Sequence, residues 1–293
     1  MLCLVVVFFI SSCELKKQEQ PATDVNTETA TISIDTIEKR DLRISVNGVS
    51  FVMKLVEGGT FMMGAQNSNP NEPNYDSEAG DDETAFSATV RSYYIGESEV
   101  TQALWRAVMN DNNTYVRDSE CGDNYPANYL WWYRCQEFIH KLNDLTKMEF
   151  RLPSEAEWEF AARGGNHSKG FKYAGSNDLG EVAWTDEIHE VKTKAPNELG
   201  LYDMTGNVSE LCQDKYVIRG SNMSILREYY NTVTSRLELG PNFPLNRFIG
   251  FRLAFNVESR PQNKIMIPGP VYKATASIDS VGNVVVDTIF EVE

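Results

Sequence analysis

The sequence predicts a loop-rich α+β domain, and three observations support that fold class. Segments of alternating apolar and polar residues, typical of strands, occur at 42–52 and again at 216–221 and 248–255. A capped helix begins at Ser154. The segment that follows this helix, up to residue 207, contains many Gly, Asn and Asp residues, which favour tight turns. We expect the specificity of such a fold to lie in its loops.

The helix at Ser154 is the best-defined element. Ser154 and Glu157 have the S-x-x-E spacing of a capping box, in which hydroxyl and carboxylate each bond a free backbone N–H of the other residue. Trp158 then lies on the same face as the alanines that follow, and a Gly-Gly pair ends the helix. A second, short helix is predicted after the cap residue Thr101. A third is predicted within 128–146, where aromatic and aliphatic residues recur at helical spacing, typical of a core-facing stripe.

The net charge of −15 excludes a nucleic-acid-binding surface, which needs clustered Lys and Arg. Solubility outside the cell is the simplest interpretation of this charge, and cation binding is the alternative. The acidic segment 66–84 is predicted to be a surface loop, because it lacks the spacing of an EF-hand calcium loop.

The N-terminus resembles the signal of a bacterial lipoprotein. An apolar run at 2–10, too short to span a bilayer, is followed by two serines and Cys13, the residue that is lipidated in such proteins. An ordinary secretory signal cleaved near the serines is the alternative. The chain is therefore divided into a signal peptide, a flexible tether, a domain, and a C-terminal strand hairpin or annex, at residues 1–12, 13–40, 41–256 and 257–293.

Three cysteines remain beyond the signal, so an oxidising compartment would leave one thiol unpaired. Cys121 and Cys135 could close a short disulfide loop. We favour the alternative that Cys135 fills a small core position on a helix. The third thiol, Cys212, is expected to be an inert buried residue rather than a redox group.

An ordered set of motifs resembles the formylglycine-generating-enzyme, or sulfatase-modifying-factor, family. The resemblance implies a variant of the C-type-lectin-like fold with few helices, small twisted sheets and much ordered loop. The matching segments cover roughly residues 50–256 and are, in family order, 59–64, 99–101, Pro126 with Trp132, 151–165, 197–208, 219–220 and 250–252.

Oxidase activity is not implied by the fold alone. The resemblance implies that enzymes of the family hold copper with two cysteines shortly after the Arg-Gly strand. The corresponding residues here, 219–231, contain no cysteine, and Met223 is a lone thioether. A related branch of iron-dependent C–S bond-forming enzymes uses a histidine-rich helical domain. This chain has no such domain, and its three histidines are scattered along the sequence.

The resemblance also implies a structural calcium site. Gly206, Asn207 and Glu210 match the family's calcium segment and offer the oxygen ligands that Ca²⁺ prefers. Ser209 and Leu211, however, stand where the family usually has tryptophans. The alternative is that Asn207 and Glu210 hydrogen-bond a tight turn.

The remaining matched residues are predicted to be structural, because planar guanidinium groups satisfy carbonyls and carboxylates inside a loop-rich domain. Binding of an anionic ligand is the alternative for the arginines. The predicted structural residues are Arg151, Ser154, Glu157, Trp158, Arg219, Arg236 and Arg252.

From these observations we predict a lipid-anchored protein of the bacterial cell envelope, most simply of the outer membrane. Its domain would act as a non-catalytic binding or scaffolding module, similar to lipoproteins of gliding and secretion machinery. Its partners would be envelope proteins or a glycan or peptide ligand. The first alternative is a formylglycine-generating oxidase or divergent oxidoreductase. The second is a lectin-like receptor with a groove beside residues 221–247.

Overall fold

The computed structural model describes the domain and several strands that flank it. The described residues are 30–37, 40–71, 74–77, 79, 84–111, 121–214, 217–221, 231–239, 247–259, 272–278 and 284–291. Cys13, the signal peptide and most of the tether lie outside them. No helix among the described residues is both long and apolar enough to cross a membrane.

A seven-stranded antiparallel sheet forms one side of the domain. In the order of the sheet, its strands are β11 (Ala254–Asn256), β6 (Tyr93–Gly96), β3 (Val49–Val56), β2 (Leu42–Val46), β1 (Ile32–Thr36), β12 (Tyr272–Ile278) and β13 (Val284–Glu291). Strands β2 and β3 are joined by Asn47-Gly48, both with positive φ, as an Asn-Gly hairpin turn requires.

The other described strands form two smaller sheets. A four-stranded sheet has the order β10 (Ile249–Gly250), β7 (Ser209–Leu211), β8 (Val217–Arg219) and β9 (Arg236–Glu238), with β10 and β7 parallel. A separate hairpin consists of β4 (Gly59–Met63) and β5 (Phe86–Val90). These short strands belong to a mixed, loop-rich α+β domain, as the sequence predicts.

Four α-helices are present in the described chain: α1 (Gln102–Met109), α2 (Trp132–Thr146), α3 (Glu155–Ala162) and the single turn α4 (Leu179–Val182). Thr101 and Ser154 cap α1 and α3 through side-chain oxygens, as predicted. Helix α2 lies within the predicted range 128–146 and begins at Trp132, and residues 128–131 precede it without regular structure.

The apolar interior is divided into two main clusters. The larger packs α1 and α2 against strands β2 and β3, with Trp105, Phe138 and Phe251 in mutual ring contact. The smaller surrounds Trp158 of α3 and includes Cys212. Cys135 is fully buried in the larger cluster and forms no disulfide, which confirms its interpretation as a core residue.

Part of the segment predicted as a tether forms a strand of the large sheet. Residues 32–36 form β1, which pairs along its whole length with β2 and also contacts β12. Ile32 and Ile34 pack against the larger core cluster, and this apolar burial explains why the segment is ordered although its composition is polar overall. The C-terminal strands β12 and β13 pair as an antiparallel hairpin next to β1.

Replacing Ile34 by alanine tests whether β1 is part of the folded domain. We expect Ile34→Ala to lower the free energy of unfolding by about 1–2 kcal/mol, the cost of truncating a half-buried aliphatic side chain. Thr31→Ala, at an exposed position just before the strand, should cost little. Urea unfolding measures both. An unchanged midpoint for Ile34→Ala would mean that residues 32–36 behave as a tether.

Candidate functional site

Helix α3 is the local framework of the site. Ser154 Oγ accepts from the Glu157 N–H at 3.2 Å, and Glu157 Oε2 accepts from the Ser154 N–H at 2.8 Å, so the predicted capping box is present. The Arg151 guanidinium binds both Glu157 oxygens, at 2.6 and 2.7 Å. The start of the helix is thereby fixed to the preceding chain.

Arg219 lies fully buried beside α3, where its guanidinium binds two carboxylates. It donates to Glu155 Oε1 at 2.7 Å, to Glu159 Oε2 at 3.0 Å and to the Thr234 carbonyl at 2.9 Å. Arg236 donates to the same Glu155 carboxylate at 2.6 Å. Burial alone would raise the pKa of Glu155, but Arg236 and Arg219 hold it below its ordinary value.

Glu159 connects this network to the β4 hairpin. Its Oε1 accepts from the Gly64 N–H and from Arg163 Nε, both at 2.8 Å. Arg163 in turn donates to the Gly64 carbonyl at 3.0 Å. The last glycine of the 59–64 motif is therefore bound on both its backbone groups by the charged face of α3.

Arg252 and Glu210 form a second buried ion pair, next to Trp158. Arg252 reaches both Glu210 oxygens, at 2.6 and 2.5 Å, and also donates to the carbonyls of Gly96 and Tyr202. The Trp158 indole N–H donates to Glu210 Oε2 at 2.8 Å. All three side chains are fully buried, so the pair is screened very little by water.

Two further buried acids, Glu99 and Asp203, lie near this pair. Burial raises the pKa of Glu99 well above its ordinary value, and the Asp203 and Glu210 charges raise it further, whereas Arg252 opposes them. Burial also raises the pKa of Asp203. Of the three acids, Glu210 alone forms hydrogen bonds with Arg252 in the described chain, and Glu99 and Asp203 interact with it through charge. The cluster therefore carries excess negative charge unless a proton or cation neutralises it.

The residues predicted to bind calcium lie in this cluster, but their oxygens already have protein partners. Glu210 accepts from Arg252 and Trp158, and Asn207 Oδ1 accepts from the His189 N–H at 2.9 Å. Gly206, with φ of 81°, is held so close to the Trp184 carbonyl that a Cβ would lie 2.4 Å from its oxygen. The contacts of Asn207 and Glu210 are therefore long-range and differ from hydrogen bonding within a local turn, and calcium binding by these residues stays a prediction.

Glu99 offers the better oxygen for a cation. Asn207 Nδ2 donates to Glu99 Oε1 at 3.2 Å, and no N–H or O–H donor of the described chain bonds the buried Glu99 Oε2. The Asp203 carboxyl lies within hydrogen-bonding reach of Glu99, so a proton shared by the two acids would also satisfy this oxygen. No three His, Cys, Asp or Glu side chains in the described chain converge as metal ligands. A calcium ion bound to Glu99 would therefore take most of its remaining ligands from backbone carbonyls.

Three free thiols lie in the described chain, of which Cys121 is half-buried and the other two are fully buried. Cys212 and Cys135 are fully buried in different core clusters, and burial raises the pKa of each thiol. A buried thiol with a raised pKa is a poor thiolate ligand. Met223 and most of the segment matched to the copper site, together with most of the groove at 221–247, lie outside the described residues.

One of the three histidines contacts the buried charged cluster, and it does so through its backbone N–H. His140 is an exposed residue of α2 beside Asp144, and His167 lies in a short 3₁₀ turn. The His189 ring stacks on Trp184, and the backbone N–H of His189 donates to Asn207 Oδ1.

Sequence reasoning identified the arginines but missed most of the acids that bind them. The sequence assigns no role to Glu155 or Glu159, and Glu99 and Asp203 lie within matched segments without a predicted role. The spacing of Glu155 and Glu159, one helical turn apart, places both on one face of α3 and could have indicated a pair of arginine partners.

The chain is similar to known proteins in family, sequence and fold. The family model of the sulfatase-modifying factor enzyme 1-like domain matches residues 48–257. The chaperone protein LppX of Paenibacillus barcinonensis is 30% identical over 219 residues, covering 56% of this chain and 71% of LppX. The formylglycine-generating enzyme of Thermomonospora curvata is 37% identical over 82 residues, covering 22% of this chain and 27% of that enzyme.

A solved structure has the same fold. Treponema denticola variable protein 1 superimposes with a TM-score of 0.60 at 27% identity, covering 74% of this chain and 99% of that protein. The similarity therefore spans the whole of a protein that is smaller than this chain, and it leaves part of this chain without a counterpart.

Lysine substitutions test how much the planar guanidinium groups of Arg219 and Arg236 contribute to the stability of the fold. We expect Arg219→Lys to lower the free energy of unfolding by about 2–4 kcal/mol, because an ammonium cannot reach two carboxylates and a carbonyl at once. Arg236→Lys should cost about 1 kcal/mol or less, since that side chain is partly exposed and water screens its ion pair with Glu155. Equal costs in urea unfolding would contradict the assignment of Arg219 as the centre of the network.

The raised pKa of Glu99 predicts a dependence of stability on pH. A folded pKa above the ordinary 4.5 means that the folded state binds the proton more tightly than the unfolded chain does. This contribution is present below the unfolded pKa and is lost as the pH rises through the folded pKa. In the presence of a chelator, the contribution of Glu99 to the free energy of unfolding should fall as the pH rises above 4.5, so the profile of Glu99→Gln should fall less steeply there than that of the wild type.

Glu57→Gln is the matched control, because Glu57 is 68% exposed and pairs with an exposed arginine. Its pH profile should follow that of the wild type. Identical profiles for wild type and Glu99→Gln would show that Glu99 ionises in the folded protein as it does in the unfolded one.

Proposed function

The chain belongs to the family of sulfatase-modifying factor enzyme 1-like domains, and from this we propose that its domain is a binding or scaffolding module without oxidase chemistry. We further propose that it works in the bacterial cell envelope, held at the membrane by a lipid on Cys13. Its partners in this proposal are envelope proteins, with a glycan or peptide ligand as the alternative.

The placement of the thiols carries this proposal. Copper chemistry of the family type needs two thiolates that converge at an accessible point. Cys135 and Cys212 are instead sealed in separate apolar clusters, and the sequence from 219 to 231 has no cysteine. The charged residues of the family motifs bind each other, and this arrangement supports a structural role for them.

Exposed aromatic side chains support a binding role. Trp131 and Tyr133, at the start of α2, are 39% and 61% exposed, and aromatic residues are enriched where proteins bind partners. The similarity to LppX is consistent with this interpretation, because a chaperone acts by binding other proteins. LppX also motivates the envelope lipoprotein assignment.

A formylglycine-generating oxidase is the second candidate, and similarity to the Thermomonospora curvata enzyme favours it over the lectin-like receptor. That similarity covers 27% of the enzyme. The oxidase would require copper ligands other than a thiol pair, or a rearrangement that exposes Cys212.

We also propose a structural calcium ion at Glu99, supported by its buried Oε2, which no donor of the described chain bonds, and by the nearby negative charges of Asp203 and Glu210. Glu99→Gln separates this ion from a bound proton. Calcium should raise the melting temperature of the wild type above pH 7 but not that of Glu99→Gln. A calcium response that survives the substitution would place the ion elsewhere.

Titration with Cu(I) tests the non-catalytic proposal. Wild type and Cys212→Ala should compete equally poorly with a chromophoric chelator for the ion, and neither should consume oxygen with a cysteine-containing peptide. Stoichiometric Cu(I) binding that is lost in Cys212→Ala, together with aldehyde formation on the peptide, would establish the oxidase instead.

Crosslinking in intact envelopes tests the binding role. A photoreactive amino acid at position 133 should give discrete crosslinked products, and the same residue at position 57, exposed on another part of the domain, should not. Cys13→Ala should release the protein from the membrane fraction. Identical crosslinking at both positions, or membrane retention of Cys13→Ala, would count against the corresponding part of the proposal.

A further inference from the structure

A small polar pocket lies between the end of β5, the start of α3 and the chain that follows β11. Its volume is about 230 Å³, below the roughly 300–1,000 Å³ typical of sites for drug-sized ligands. The pocket is thus large enough only for a small solute. Its polar lining residues include Thr89, Arg91, Ser92, Ser154, Glu157 and Glu258.

Several lining groups are already committed to the fold. Both oxygens of Glu157 bind Arg151 and the backbone N–H of Ser154, and Asn256 Oδ1 accepts from Arg151. Ser92 Oγ accepts from the Gly58 N–H at 3.0 Å. These contacts fix the walls of the pocket without neutralising its two remaining charges.

Those two charges belong to Arg91 and Glu258. Both residues are exposed, and within the described part of the chain neither side chain makes a hydrogen bond or ion pair. They also do not pair with each other, although both line the same pocket. A positive and a negative group therefore line one small polar space, and no ion pair joins them.

We propose that this pocket binds a small zwitterion of the α-amino acid class. The Arg91 guanidinium would take the carboxylate, for which its planar fork of donors is well matched, and the Glu258 carboxylate would take the ammonium group. A simple anion would leave Glu258 unpaired and would be repelled by it. A simple cation would likewise leave Arg91 unpaired and be repelled by it. A ligand with both charges satisfies both side chains.

This site is separate from the proposed partner-binding surface and from the buried clusters, so its test stands independently of theirs. Isothermal titration of the full-length chain with glycine, L-alanine and L-serine provides the measurement. Propionate and ethylamine serve as matched ligands that each retain one charge of alanine. At least one amino acid should bind saturably, and both single-charge analogues should bind at least about tenfold more weakly.

Arg91→Gln and Glu258→Gln should each weaken amino acid binding by about tenfold or more, since each removes one charged hydrogen-bonding group. Arg43→Gln and Glu190→Gln, at exposed positions outside the pocket, are the matched controls and should bind as the wild type does. The proposal is overturned if no amino acid binds, if propionate binds as tightly as alanine, or if the control substitutions weaken binding equally.

Discussion

The ion pair between Arg252 and Glu210 is the interaction on which the arrangement of this domain depends. Both side chains are fully buried, and the pair joins the segment between β10 and β11 to β7. The remaining Arg252 donors bind the carbonyls of Gly96 and Tyr202. Four separate pieces of chain therefore meet at one guanidinium. A buried charge of this kind is stable only when all its hydrogen bonds are made, so each of these pieces must adopt its native position together.

Helix α3 connects this ion pair to the second buried network, that of Arg219. Its Trp158 donates to Glu210, and on the neighbouring face Glu155 and Glu159 receive Arg219. One eight-residue helix thus links both ion networks to the β4 hairpin and the four-stranded sheet. In a domain with so little regular structure, these directional contacts fix loops that apolar packing alone would leave loosely specified.

Local features were predictable from the sequence, and distant partners were not. The capping box at Ser154 depends on four consecutive residues, and the structural role of Arg219 follows from its chemistry in a loop-rich fold. By contrast, Glu99 and Glu210 are more than one hundred residues apart, and no spacing rule brings their carboxylates together. Strand β1 was missed for a related reason, because its order comes from pairing with β2 and not from its composition.

A double-mutant cycle on Glu210 and Arg252 tests most directly whether the motif charges hold the fold. Glu210→Gln and Arg252→Met should each lower the free energy of unfolding by about 3–5 kcal/mol, because each leaves an uncompensated buried group. The double variant should cost at least about 2 kcal/mol less than the sum of the two, which is the coupling expected for residues in direct contact. Additive costs in urea unfolding would contradict the account, since they would show that the two side chains stabilise the domain independently.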